Sequence, residues 1–301
     1  MDRLTDSAPL RDDPAALAAR FADDGYLYLR GLLPADEVLA LRALLLDLLA
    51  DVGWLAPGSD PADALPGPRS YVEPEPDYFP MYARLQALEP FHRLAHHPAV
   101  TKVLDGLVGD DLLVHPRKIG RVNFPGNEVG VTPPHQDFRY IQGTPDVVTA
   151  WVPLGTYPVG HGGLKVLAGS QRDGLLPAVM VPRMGGVSVA VDEDDPAWAT
   201  ADFAPGDVLL FHAFTVHGAT PNESTRVRLS ADFRYQSAAE PVVPETLGPH
   251  YEGRVPGWDD LTNGWSTREW VAAPAGVPTR PYEPVAGDIV TAPARLVRLG
   301  R

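Results

Sequence analysis

The sequence predicts a mainly β protein in which a helical N-terminal layer packs on one β-sandwich or barrel. Three observations carry this expectation. Helix signals cluster in the N-terminal third of the chain. Beyond residue 115, short apolar runs alternate with glycine and proline, as strands joined by turns do. The chain also holds 33 prolines and 28 glycines among 301 residues. That is below the roughly 25–30% of a low-complexity chain, so it indicates many turns rather than disorder. A chain this long buries about 75% of its unfolded surface, so a core forms without staples. Neither a repeat nor a linker divides it. A single domain over 1–301 is expected, with a helical layer over about 12–110, a β core over about 115–236 and a C-terminal extension over about 237–301.

The elements follow in order. Asp13 can cap a first helix that opens on Pro14 and ends at Gly25, with Leu17 and Phe21 on one face. Residues 26–30 alternate as a short strand. Pro34 starts a second helix with Asp36 and Glu37 in its positive first turn, and Gly53 stops it. Val38, Leu41, Leu45, Leu48 and Val52 recur at helical spacing, which is a stripe for core packing. Residues 55–80 hold seven prolines and little periodicity, so a lid or binding loop is expected there. One more helix is predicted over 90–108, then strands over 119–124, 147–154, 163–167, 208–218 and 227–236. Trp258, Trp265 and Trp270 should pack the C-terminal extension onto the β core.

Composition removes several functions. The formal net charge is −14, the wrong sign for a phosphate-backbone binder, so nucleic acid is not an expected partner. With no cysteine, disulfides, thiolate metal sites and cysteine nucleophiles are excluded. The first residues carry no basic-then-apolar signal, and the most apolar helix is too short to span a bilayer. A cytoplasmic protein without a membrane partner is expected. Lys102, Lys118 and Lys165 are the only lysines among 25 basic residues. The rest are arginines, which grip carboxylates in a bidentate manner.

Three segments could carry chemistry. In Pro133-Pro134-His135-Gln136-Asp137, a strand would point His135 and Asp137 to one face and Gln136 away. An imidazole and a carboxylate are two-thirds of the 2-His-1-carboxylate set that holds non-heme Fe(II) with positions left open. Alone the triplet is also compatible with a surface turn. Residues 206–218 form a very apolar strand with His212 and His217, whose odd spacing puts them on opposite faces. His217, beside Gly218, is the better ligand, and His212 reads as a hydrogen-bonded core residue. Downstream, Arg228 shares a strand face with Ser230 and Asp232. A buried arginine needs an anion, either Asp232 or a dicarboxylate ligand.

Together these segments resemble the phytanoyl-CoA dioxygenase family of Fe(II)/2-oxoglutarate oxygenases. Residues 21–33 look like its N-terminal helix and strand, and 162–172 like the glycine-serine segment between its metal ligands. Residues 206–235 match its second half, with an arginine 11 positions after the distal histidine, the offset that selects Arg228 over Arg226. The resemblance implies a double-stranded β-helix, a jelly-roll or cupin-like barrel with flanking N-terminal helices. It implies Fe(II) on His135, Asp137 and His217, and 2-oxoglutarate with its distal carboxylate on Arg228. Trp151 lines up with an aromatic flanking the cosubstrate, and Lys118 is a further candidate for that pocket. Some relatives carry serine where this chain has Ala219, and Thr220 is the candidate substitute. Phe138 and Arg139, next after the triplet, are candidates for the substrate mouth.

The implied reaction consumes O2, releases succinate and CO2, and hydroxylates or otherwise oxidises an unactivated C–H bond of a small molecule in specialised metabolism. Members that chlorinate have a small residue where this chain has Asp137, so hydroxylation is favoured. An acyl-CoA is disfavoured by the three lysines and the acidic balance. The alternative is a cupin-like metal-dependent isomerase or hydrolase that does not use 2-oxoglutarate. A non-catalytic barrel ranks last. His92, His96, His97, His115, His161 and His250 show no convergent spacing and read as surface or packing residues. The sequence leaves oligomeric state open.

Overall fold

Asp13 caps the first helix through a 3.0 Å bond from the Ala16 amide, and Gly25 closes it at φ 76°. Glycine adopts that left-handed conformation without steric cost. The computed structural model describes residues 1–109 and 111–283, so part of the expected C-terminal extension lies outside the described residues. The helices are α1 (Pro14–Asp24), α2 (Ala35–Asp51), α3 (Phe79–Gln86), α4 (Glu89–Leu94), α5 (Pro98–Val108), α6 (Phe138–Ile141) and α7 (Trp258–Leu261). The helix expected over 90–108 is therefore two. Pro98 disfavours a helical residue before it, and His97 is extended at φ −61°, ψ 128°. α3 occupies part of the segment read as loop, because Pro80 falls in its first turn, where a missing N–H costs nothing.

In chain order the strands are β1 (Asp2–Arg3), β2 (Tyr26–Leu29), β3 (Leu112–Val114), β4 (Ile119–Asn123), β5 (Val148–Pro153), β6 (Leu164–Leu167), β7 (Ala178–Met180), β8 (Val187–Val189), β9 (Trp198–Thr200), β10 (Val208–His212), β11 (His217–Ala219) and β12 (Arg228–Ser237). A six-stranded sheet runs β2-β10-β5-β12-β3, with β4 also on β12; a four-stranded sheet runs β1-β9-β6-β11; β7 and β8 pair separately. The fold is mainly β with cupin-like layering, as two packed sheets rather than one hydrogen-bonded closed barrel.

The six-stranded sheet is the middle layer, and its strands are buried on both faces. Leu27, Ala150, Val152, Leu210, Leu229, Ala231 and Phe233 point into one core with α1 to α5. Their neighbours Tyr26, Tyr28, Trp151, Leu209 and Phe211 point the other way, against Leu164, Val166 and Ala199 of the four-stranded sheet. This period-two division puts each strand's alternate residues between the sheets, where the candidate site lies. The continuous strand expected over 208–218 is β10 and β11, which belong to different sheets; the chain crosses between layers at 213–216. The three C-terminal tryptophans do not pack on the β core. Trp265 donates to the Ala87 carbonyl, Trp270 to Glu89, and His92 meets Trp258 edge-on and Trp265 at a tilt, so they clamp the helical layer. Among the described residues, no helix is long and apolar enough to cross a membrane.

Candidate active site

His135 and His217 meet across an isolated antiparallel bridge in which each amide donates to the other's carbonyl, at 2.8 and 3.0 Å. Residues exchanging both bonds are direct cross-strand partners, so their side chains share a face. The rings lie 4.1 Å apart. Gly218 permits the pairing: a Cβ there would lie 3.2 Å from backbone atoms of residues 132–134. The close approach at this glycine is thus to the neighbouring chain segment, not to a ligand. Asp137 does not lie on a strand with His135. Its backbone is helical, φ −60°, ψ −33°, at the start of α6. That bend carries its carboxylate back to the imidazoles, 3.7 Å from His135 Nε2 and 3.8 Å from His217 Nε2. Gln136 faces away, bonded to the Gly174 and Phe214 carbonyls and the Leu176 amide.

Both Nε2 atoms are aimed by their ring partners. His135 Nδ1 bonds the Pro133 carbonyl at 2.9 Å, and His217 Nδ1 bonds the Thr215 carbonyl at 3.0 Å. A carbonyl only accepts, so each Nδ1 carries the proton and each Nε2 presents a lone pair. Burial, with His135 alongside, pushes the His217 pKa down to about 3, keeping it a neutral ligand at pH 7. Burial alone would raise the Asp137 pKa; Arg234 and the two imidazoles outweigh it and hold it well below the usual carboxylate range. Arg234 NH2 lies 3.3 Å from both carboxylate oxygens, and Thr149 donates to Oδ2 at 2.6 Å. The donor set is one group of His and Asp atoms within 4.8 Å of one another, and it could hold a metal ion.

The cavity beside the triad is lined by alternate residues of β5 and β12: Thr149 and Trp151, then Arg228, Asp232 and Arg234. Arg228 donates to the Gly162 carbonyl (2.7 Å) and the Ser230 hydroxyl (2.8 Å). Asp232 is not its partner; its Oδ2 accepts from Arg121 at 3.0 Å, and Arg121 also holds Glu73 at 3.0 Å. Among the described residues no carboxylate pairs with Arg228, and burial lowers its pKa to about 10. Asn123 stands opposite Arg228 in the sheet register, and its side-chain oxygen is buried without a hydrogen bond.

The structure brings His135, Asp137, His217, Trp151 and Arg228 to this one cavity. Four other candidates lie elsewhere. Lys118 is fully buried, and its ammonium is spent on the His115, Pro116 and Trp270 carbonyls. Thr220 bonds the Gly163 carbonyl, while Ala219 takes the lining position, so no hydroxyl replaces the relatives' serine there. Phe138 packs edge-on against Phe214 beside Ile141, Val147 and Ala213. Arg139 is buried and donates to the Leu176 carbonyl. The α6 turn points both away from the triad's cavity. Sequence reasoning missed Thr149, Arg234, Arg121 and Glu73. Counting in twos from Arg228 along its strand would have reached Arg234, and from Trp151 would have reached Thr149.

The family described as Phytanoyl-CoA dioxygenase (PhyH) matches residues 21–230. The chain is 33% identical over 248 residues to 1-deoxypentalenic acid 11-beta-hydroxylase of Streptomyces arenae, covering 78% of this chain and 85% of that protein. The Streptomyces exfoliatus enzyme of the same name is 31% identical over 250 residues, with 78% and 85% covered. Among solved structures, the epimerase SnoN in complex with Fe3+, alpha ketoglutarate and nogalamycin RO superposes with TM-score 0.53 and 27% identity, covering 77% of this chain and 88% of that one.

Proposed function

The chain belongs to the phytanoyl-CoA dioxygenase family, and from that premise we propose that His135, Asp137 and His217 hold its Fe(II) while Arg228 receives the distal carboxylate of 2-oxoglutarate. The protein is an iron- and 2-oxoglutarate-dependent hydroxylase acting on a small molecule. The observation that carries the site assignment is the pair of aimed imidazoles: both Nδ1 atoms are tied to carbonyls, and both Nε2 lone pairs face the Asp137 carboxylate. A buried ion pair would not need that arrangement; a metal does.

When bound, Fe(II) with 2-oxoglutarate and O2 supplies the oxidising power that puts a hydroxyl on an unactivated C–H bond, with release of succinate and CO2. The chain's own residues bind and orient. Three protein ligands leave positions for the cosubstrate and O2. Arg228 offers a buried guanidinium without a carboxylate partner among the described residues, suited to a bidentate carboxylate contact. Trp151, packed on Phe203, walls that end of the cavity. Asp137 fills the third ligand position, which favours hydroxylation over halide transfer. The cupin-like isomerase or hydrolase reading leaves the unpaired Arg228 without a role.

Specialised metabolism is the setting we favour, given the hydroxylase relatives. A ferrous enzyme using a keto acid of central metabolism belongs in the cytoplasm on this reading. The helical layer and the β strands share one hydrophobic core, which supports one oxygenase domain over 1–301. Anaerobic titration with Fe(II) and then 2-oxoglutarate tests the assignment. A visible charge-transfer band is expected, lost in His135→Ala and Asp137→Ala. Wild-type iron affinity in both variants would falsify it.

A further inference from the structure

A second cavity shares the Arg234 wall with the one beside the triad. Its volume is about 70 Å³. Ile119 and Ile141 give it apolar walls, and Arg117 and Arg234 give it charge. Both guanidiniums keep a buried Nε–H with no hydrogen-bond partner. Arg117 spends one other donor on the main-chain carbonyl of Glu245. Glu245 and Glu252 act on Arg117 only through space, and no carboxylate pairs with it among the described residues. His115, pushed down to about 3 by burial, and His250, lowered for the same reason, are neutral.

Two orphaned donors on neighbouring cations in an apolar recess are costly unless an anion completes them. In the cavity beside the triad the one cation without a carboxylate partner among the described residues is Arg228, already assigned to 2-oxoglutarate. There Glu73, Asp137 and Asp232 match Arg121, Arg228 and Arg234 in number. We propose that this second cavity is a substrate subsite for an acidic group, a carboxylate on an apolar small molecule, received by the Nε–H groups of Arg117 and Arg234. This rests on the iron and 2-oxoglutarate reading of the neighbouring site. The placement suits that chemistry. Arg234 touches Asp137 with its other nitrogen, and Tyr140, in the same lining, stands 5.9 Å from the His135 ring. An acid anchored here would lie across Arg234 from the triad.

The test uses the full chain loaded anaerobically with Fe(II) and saturating 2-oxoglutarate, so that Arg228 and the metal are occupied. Calorimetric titration compares benzoate with uncharged benzamide. Benzoate is expected to bind at least about tenfold more tightly, a difference of roughly 1.4 kcal/mol. Arg117→Met should lose that factor while 2-oxoglutarate affinity stays within about twofold, and Arg117→Lys should recover part of it. A benzoate-soaked wild-type crystal reads the same point without a variant, with the carboxylate expected against Arg117 Nε. Equal binding of benzamide, unchanged binding by Arg117→Met, or no benzoate binding up to about 20 mM, near −2.3 kcal/mol, overturns the subsite. Failure of Fe(II) or 2-oxoglutarate to bind appears at the loading step, before benzoate is added, and overturns the parent reading instead.

Discussion

Replacing Thr149 by valine removes one hydroxyl from behind the proposed metal ligand Asp137 and changes little volume. That hydroxyl donates to Asp137 Oδ2 at 2.6 Å, and both side chains are buried. A hydrogen bond to a charged acceptor contributes about 1.5–3 kcal/mol net. Loss of an outer partner of a metal ligand typically costs about 10–100-fold in metal affinity, or roughly 1.4–2.7 kcal/mol. The two ranges agree. Arg234 still reaches both oxygens of Asp137 at 3.3 Å, so the carboxylate stays ionised and only its aim is loosened. The expected loss therefore falls near the lower end, about tenfold in Fe(II) affinity. Anaerobic metal titration against a competing chelator measures it, with a thermal melt to show that the variant is folded. Thr149→Ser keeps the hydroxyl and should stay close to wild type. A folded Thr149→Val protein with Fe(II) affinity within about twofold of wild type would refute the idea that this bond orients Asp137.

Three further outcomes are expected. Arg228→Met should weaken 2-oxoglutarate binding by roughly 10- to 100-fold, the 1.5–3 kcal/mol of a charged hydrogen-bonded pair, with Fe(II) affinity nearly unchanged; equilibrium titration of the two ligands separates these effects. Lys118→Met should leave 2-oxoglutarate affinity at the wild-type value and lower the melting temperature, because it orphans the carbonyls of His115, Pro116 and Trp270. A loss of cosubstrate affinity in that variant would restore Lys118 to the cavity. Burial lowers the pKa of His115 to about 3 and of His96 to about 4. As pH falls below about 6.5, the unfolded chain takes up protons that the folded state refuses, so stability drops towards those folded values. Each such histidine contributes a slope of about 1.4 kcal/mol per pH unit. Urea denaturation between about pH 6 and pH 5 should show that slope reduced in His96→Gln; an unchanged slope refutes the assignment.

The parts of this molecule legible in the sequence are those governed by near neighbours. A cap such as Asp13, a proline in a first turn and a glycine at a helix end act within a few residues, so α1 and α2 begin and end where their signals stand. Strand periodicity likewise acts within a segment: β5 falls within the range expected of it, and β12 overruns its range by one residue, Ser237. Local reading failed where two local signals competed. Prolines at 80 and 98 mark helix starts, yet in a proline-rich stretch they read as loop or as helix interior.

The residue set His135, Asp137, His217 and Arg228 was named through the family resemblance, and the structure brings the four to one cavity. The geometry offered for it was not correct. Asp137 meets His135 through a helical bend, and the two histidines meet through a bridge between segments far apart in sequence. The choice among the basic residues was still less accessible. Arg228, Arg234 and Lys118 are all buried basic residues. Only the packed structure shows that Lys118 is spent on carbonyls, Arg234 on Asp137, and that Arg228 keeps its charge unpaired. The sequence by itself determined which elements form, and it held the metal-ligand motif and its candidate arginine. Tertiary structure alone decided which charges are neutralised and which face a cavity. Hydrogen bonds and ion pairs act over a few ångströms, and residues more than 100 positions apart, such as Arg121 and Asp232, come that close only after the sheets have paired.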